Sequence, residues 1–117
     1  MIEKVRPARF YATQAGAEPV REWLRGLPDE DRASIGKDLA RVEFGAALRL
    51  PLIDNLGDGL WEVRTRLRRR RIARVFFALG TGKMVLLHGI IKKSQKTPAN
   101  DLKTARKRKR LWEKGNA

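Results

Sequence analysis

The apolar positions of this chain change period as the sequence proceeds. Residues 4–11 (KVRPARFY) mix β-formers with Pro7, which lacks the N–H a central ladder needs, so they predict an edge strand. Val20, Trp23, Leu24 and Leu27 then fall at helical spacing with charged residues between them. Ile35, Leu39, Val42 and Ala46 recur at four, three and four, which is one face of a second, longer helix. Glu18-Pro19 opens the first helix, where proline is tolerated. Pro28-Asp29-Glu30-Asp31 opens the second, with acids crowding its positive end. The two form a helical hairpin turning at Leu27-Pro28. Residues 48–59 (LRLPLIDNLGDG) are dense in Pro, Asn, Asp and Gly and read as a loop.

From residue 60 the period falls to two. In LWEVRTRL (60–67), Trp61, Val63, Thr65 and Leu67 take one face and Glu62, Arg64 and Arg66 the other. That is a half-buried strand with a charged side. RIARVFFAL (71–79) is β-branched and aromatic, Gly80-Thr81-Gly82 is a short turn, and KMVLLHGII (83–91) reads as a central strand. Short connections make these three an antiparallel meander. Thr97-Pro98 marks a helix start, and a basic helix is expected over about 98–114, where only Leu102, Ala105 and Leu111 or Trp112 offer a core face. The chain thus reads as a single α+β domain over 1–117, with helices on one face of the sheet and the strand arginines on the other.

Charge changes the picture more than composition does. With 117 residues and 42% apolar side chains, the chain can bury a core. It has no cysteine, which excludes disulfides and thiolate chemistry, and one histidine, which excludes a two-imidazole site. No apolar run approaches the roughly 20 residues of a membrane span. The first residues (MIEKVRPARF) lack a signal-like apolar region, so a cytoplasmic protein is expected. Residues 1–60 hold nine basic and ten acidic side chains, whereas residues 61–117 hold eighteen basic and three acidic ones. The whole formal charge of +14 therefore comes from the second half. A polyanion partner follows from such asymmetry.

Three basic clusters are candidates for chemistry. Glu62, Arg64 and Arg66 repeat at spacing two on one strand face, with Arg74 on the next strand. Like charges so aligned repel unless an anion sits among them, and guanidinium forks suit phosphate oxygens. Arg68, Arg69, Arg70 and Arg71 form a hairpin loop suited to tracking a sugar–phosphate backbone. Lys92, Lys93 and Lys96 follow the last strand, where a lysine crowded by cations is a candidate acid or base. His88, inside an apolar strand, reads as structural, and Trp23, Trp61 and Trp112 as packing residues. Neither a metal-ligand spacing nor a cofactor motif occurs.

Leu60-Trp61-Glu62-Val63-Arg64, Arg74-Val75-Phe76-Phe77 and the run from Leu86 to Pro98 (LLHGIIKKSQKTP) resemble the RelE/ParE toxin superfamily, in particular its phage-derived, HigB-like branch. The Val20–Leu24 helix fits as well, and the likeness runs from about residue 5 to 110. The resemblance implies a RelE-like fold and a toxin of a bacterial type II toxin–antitoxin pair. It implies a ribosome-dependent endoribonuclease that cuts mRNA without metal or cofactor, the ribose 2′-hydroxyl attacking the adjacent phosphate. By position, Arg64 and Arg74 match family residues that contact the scissile phosphate, and Lys93 falls near a basic residue after the last strand. Arg66, Arg68, Arg69, Arg70, Arg71, Lys92 and Lys96 would position RNA, and the basic helix would dock on ribosomal RNA. The C-terminal tyrosine or histidine of some relatives is missing, so Glu62 and a lysine stand as rival proton acceptors. The implied partner is a small antitoxin, in this branch often a helix-turn-helix DNA-binding protein. Two other activities fit the charge: a gyrase inhibitor without nuclease activity, as on the ParE side of the superfamily, and a non-catalytic RNA-binding module. For the nuclease, Arg74→Ala is expected to abolish cleavage and leave the fold intact.

Overall fold

A computed structural model describes residues 2–115. The elements run β1 (Ala8–Phe10), α1 (Pro19–Arg25), α2 (Asp29–Glu43), β2 (Ile53–Gly57), β3 (Leu60–Arg66), β4 (Ile72–Gly80), β5 (Lys83–Lys92) and α3 (Ala99–Gly115). They build a five-stranded sheet in the order β1-β5-β4-β3-β2. β2 to β5 pair antiparallel, and β1 lies parallel to β5 at the edge that Pro7 foretells. This is a small α+β domain, as the pattern predicts.

The helical hairpin forms where the spacing places it. Pro19 occupies the first turn of α1, and three acids occupy the first turn of α2. Arg32 on α2 turns back to donate to the carbonyls of Leu24, Arg25 and Leu27. These carbonyls lie at and just past the end of α1, where no further helical turn follows, so one arginine closes the hairpin. Val20, Ile35, Leu39 and Val42 then pack on Val63, Val75, Phe77 and Met84 of the sheet. Gly89 lets Trp23 join them: a β-carbon there would stand 2.4 Å from the indole ring.

Two expectations change. Residues 53–57 are not loop but strand β2, with Ile53 opposite Val63 and Asp54 opposite Glu62. The polar residues that suggest a loop instead make the tight turn of a β2–β3 hairpin, with Gly57, Asp58 and Gly59 all at positive φ. Ile53, wholly buried, anchors the strand. Nor do all helices share one face. α3 lies across the opposite side, where Leu102, Ala105 and Trp112 meet Leu60, Phe76, Ala78 and Leu87. Its small apolar face is reinforced by its own cations. Arg106 donates to the carbonyls of Leu56 and Gly57, and Arg108 to that of Leu87. The sheet is therefore a middle layer, and the face that carries the strand arginines is partly roofed.

Candidate nucleic-acid interface

β3 and β4 place Arg64 directly opposite Arg74, and Glu62 opposite Phe76, on the face shared with α3. Leu60, Phe76 and Ala78 fill the apolar end of this face under α3. The arginines lie at its other end, under the Ser94–Thr97 segment. Glu62 and Arg74 are both 0% exposed. The charged side of β3 is thus no open face at this point, as alternation alone suggests, because a segment thirty residues on covers it.

Within this pair, Arg74 Nε faces Glu62 Oε1 at 3.0 Å, off the hydrogen-bond axis. Arg74 Nη2 donates to the Ser94 carbonyl, and Nη1 is buried without a partner. The Thr97 hydroxyl lies 3.3 and 3.4 Å from the two Glu62 oxygens, to which its one proton can be donated. Burial raises the Glu62 carboxyl above its ordinary value, against the lowering pull of Arg74 and Arg64. Burial likewise lowers the Arg74 guanidinium, while Glu62 pulls it back up. Desolvation outweighs attraction for both partners, which is the signature of an ion pair that is costly to bury. An unpaired buried donor adds about 1–3 kcal/mol to that cost. Arg64, half-buried at the rim, donates through Nη2 to the backbone oxygen of Gln95 at 3.0 Å and to its side-chain Oε1 at 3.3 Å.

These contacts alter what Arg74→Ala tests. The substitution strands the buried Glu62 carboxylate, so loss of activity would come with loss of stability rather than with an intact fold.

The remaining candidates divide. Arg66 is exposed on the rim beside Arg64, and both line a groove with Arg41 of α2. Lys93 does not line the groove with Arg64; it lines a separate hollow with Pro28, Glu30, Arg68 and Arg69 at the start of α2. In the β3–β4 turn, Arg69 and Arg70 stand at φ 60° and 57°, a left-handed pair usually held by Asn-Gly. Arg71 is no free contact: it grips Asp31 with two bonds of 2.7 and 3.0 Å. Hydrogen bonding to Arg71 lowers the Asp31 carboxyl, and the same contact raises Arg71. Arg68 reaches Glu30 at 2.7 Å while remaining exposed. Lys92 and Lys96 are exposed.

His88 is satisfied rather than poised. Its Nε2 is 2.8 Å from Asp101 and its Nδ1 is 3.1 Å from Arg108 Nη1. Arginine can only donate, so Nδ1 accepts and the Nε2 proton goes to Asp101. The ring also stacks on Phe76. It is a post between β5 and α3, as its place in an apolar strand suggests.

Sequence reasoning misses the groove partners Arg41, Asp38 and Leu50–Leu52, because helix α2 and the segment before β2 meet β3 only in the fold. It also misses the solvent stripe of α3. Lys103, Lys107, Arg110 and Lys114 are exposed at spacing four, three and four, whereas Arg106, Arg108 and Lys109 turn inward. Helical periodicity could have separated the two sets.

Among the described residues no group of three or more His, Asp or Glu side chains gathers to hold a metal ion, and no helix is long and apolar enough to cross a membrane. What the site offers is guanidinium donors beside a carboxylate of raised pKa, which can bind a phosphodiester and take a proton. No curated protein matches the chain. Residues 22–110, from within the helical hairpin into α3 and with Arg64, Arg66, Arg68–Arg71, Arg74 and Lys92–Lys96 inside them, match the family described as phage derived protein Gp49-like (DUF891). The chain belongs to that Gp49-like, phage-derived family.

Proposed function

We propose that this protein is the toxin of a bacterial type II toxin–antitoxin pair and acts as a ribosome-dependent mRNA endonuclease. The observation that carries the reading is the cross-strand Arg64–Arg74 pair with Glu62 against it, a buried guanidinium donor among them lacking any partner. A phosphate oxygen at Arg74 Nη1 would supply that partner and offset the repulsion between the two arginines. Family membership supports a toxin-like module, and the basic second half of the chain supports a nucleic-acid target.

In this reading Arg64 receives the scissile phosphate at the rim. The Ser94–Thr97 segment lifts, and Arg74 donates to the non-bridging oxygens as charge builds on them. Glu62, its pKa raised, takes the proton of the ribose 2′-hydroxyl. The 2′-oxygen bonds to phosphorus, the bond from phosphorus to the 5′-oxygen breaks, the leaving oxygen takes up a proton from solvent water, and Glu62 returns its own proton to solvent. The products are a 2′,3′-cyclic phosphate and a 5′-hydroxyl. Removing one such donor typically costs about 10²–10³ in rate. Arg66 and the β3–β4 turn would hold flanking RNA, and the α3 stripe would rest on ribosomal RNA. The antitoxin would silence the protein by covering this face.

The test is cleavage mapping on purified ribosomes. Discrete cuts in the decoding site that carry 5′-hydroxyl ends support the reading. Growth arrest with every transcript intact, or inhibited supercoiling by gyrase, overturns it.

A further inference from the structure

β2 pairs with β3 so that Asp54 stands directly across the ladder from Glu62, on the face shared with α3. Leu56, two residues further along β2, packs into the cluster beneath α3 and fixes which way the strand faces. Directly opposed side chains of an antiparallel pair have β-carbons about 5 Å apart, and like charges so placed repel. Aspartate is also a poor strand former. Asp54 is half-buried, and among the described residues neither a hydrogen bond nor an ion pair reaches it. No contact in the fold offsets the repulsion, which asparagine would avoid.

Glu62 has a neighbour on every side. β4 brings Arg74, β3 itself brings Arg64, and the segment after β5 brings the Thr97 hydroxyl. Toward the centre of the sheet its ladder partner is Phe76, beyond which His88 is tied to Asp101 and Arg108 of α3. Arg106 of α3 gives its donors to the Leu56 and Gly57 carbonyls. Asp54 is therefore the acid that faces Glu62 directly. Burial does most to raise the Glu62 carboxyl, and the charge of Asp54 adds to it against the pull of Arg74, Arg64 and Thr97. The two causes differ in permanence. Part of the burial comes from the Ser94–Thr97 cover, which must move to admit RNA, and the lowering bond from Thr97 moves with it. Asp54 is fixed by the β2–β3 ladder and stays.

We infer that Asp54 is a positioning residue for the proposed cleavage: its charge, held across the ladder, keeps the Glu62 carboxyl ready to hold the proton of the ribose 2′-hydroxyl once the cover has moved. The inference rests on the proposed function for its purpose, but the proton affinity of Glu62 can be read without any cleavage. Asp54 acts only through Glu62. A general base works best when its proton affinity suits the working pH, and a second carboxylate beside it brings a glutamate closer to that point.

The first test is a carboxyl ¹³C titration of the full chain, with Glu62→Gln identifying the Glu62 signal. Asp54→Asn keeps the shape and removes the charge. It should lower the Glu62 midpoint by about one pH unit, the order expected when one charge is withdrawn at this range from a partly wetted site. Asp54→Glu keeps the charge and should stay closer to wild type than Asp54→Asn. The second test is the pH dependence of mRNA cleavage on purified ribosomes, whose acid limb reports the base in the bound complex. Asp54→Asn should move that limb to lower pH, which a merely structural role would not do. A Glu62 midpoint that Asp54→Asn leaves in place would overturn the inference, as would an acid limb that stays put while the midpoint moves. A midpoint that moves in a protein that cuts no transcript would overturn the proposed cleavage and leave the coupling of Asp54 to Glu62 standing.

Discussion

Arg71, in the turn before β4, and Arg74, within it, stand three positions apart, and each meets an acid from another element in a different way. Arg71, itself part-exposed, holds the buried carboxylate of Asp31 of α2 through two parallel bonds, and the contact moves both groups toward their charged forms. Arg74 holds Glu62 of β3 inside the protein, and burial moves both toward their neutral forms. The first pair fastens the β3–β4 turn to the helical hairpin and is satisfied as it stands. The second keeps an unpartnered guanidinium donor, so an incoming anion would improve it. In the proposed function, two arginines of one run thus divide between holding the fold together and serving the site. The division lies in burial and in partner geometry, not in residue type.

The largest effect that sharpens this contrast is expected from breaking the buried pair on one side. Arg74→Ala should cost about 3–5 kcal/mol in urea unfolding, because Glu62 is left buried and uncompensated. Replacing both members, Glu62→Leu with Arg74→Met, should restore most of that stability, since apolar substitutes for a buried pair are often neutral or better. A double variant as unstable as Arg74→Ala would show that the pair is a fastener after all.

The pH dependence of stability separates the pairs next, because their shifts have opposite signs. Glu62 is raised in the folded protein, so its contribution is present below the ordinary glutamate range, near 4.3, and is lost as pH rises through the raised value. Asp31 is lowered, so its contribution is present above the ordinary aspartate range, near 3.9, and is lost as pH falls through the lowered value. Urea midpoints across the acid range should show Glu62→Gln removing the first slope. Asp31→Asn should remove the second, destabilising the protein at neutral pH and converging with wild type in acid. Identical profiles for the two variants would erase the contrast.

Much of the fold could be read from local pattern. The hairpin spacing, the β3 alternation, the Gly80–Gly82 turn and the basic last helix are all where the sequence places them. β2 could not, because its only buried anchor, Ile53, precedes a run of turn-forming residues. The juxtaposition of Arg64 and Arg74 was legible from the antiparallel meander. Their burial was not, because a period-two pattern says which face a side chain takes and nothing about what a distant segment lays over it. Likewise nothing near Arg71 announces Asp31, forty residues earlier. The resemblance sets Lys93 beside Arg64 and Arg74, but one step beyond the strand it lines a different hollow from Arg64.

A smaller stability effect is expected at the rim. Arg64→Ala should change stability by no more than about 0.5–1 kcal/mol in urea unfolding, because its partners in Gln95 stay within reach of solvent. Smaller still is the solvent stripe of α3. Lys103→Gln with Lys107→Gln should leave the urea midpoint within about 0.5 kcal/mol of wild type. The same change should lower the log–log salt slope of single-strand RNA binding by about 0.7 per lysine that meets a phosphate.

Arg64→Ala also gives the most direct test of the central claim, because it removes a site residue and spares the core. The measurement is primer-extension mapping of mRNA on purified ribosomes, with wild type and Arg64→Ala compared at matched concentration. The account predicts decoding-site cuts with 5′-hydroxyl ends for wild type, and a loss of about 10²-fold or more for a variant that unfolds at the same urea concentration. Cleavage by Arg64→Ala at the wild-type rate, or no cleavage by either protein, would contradict it.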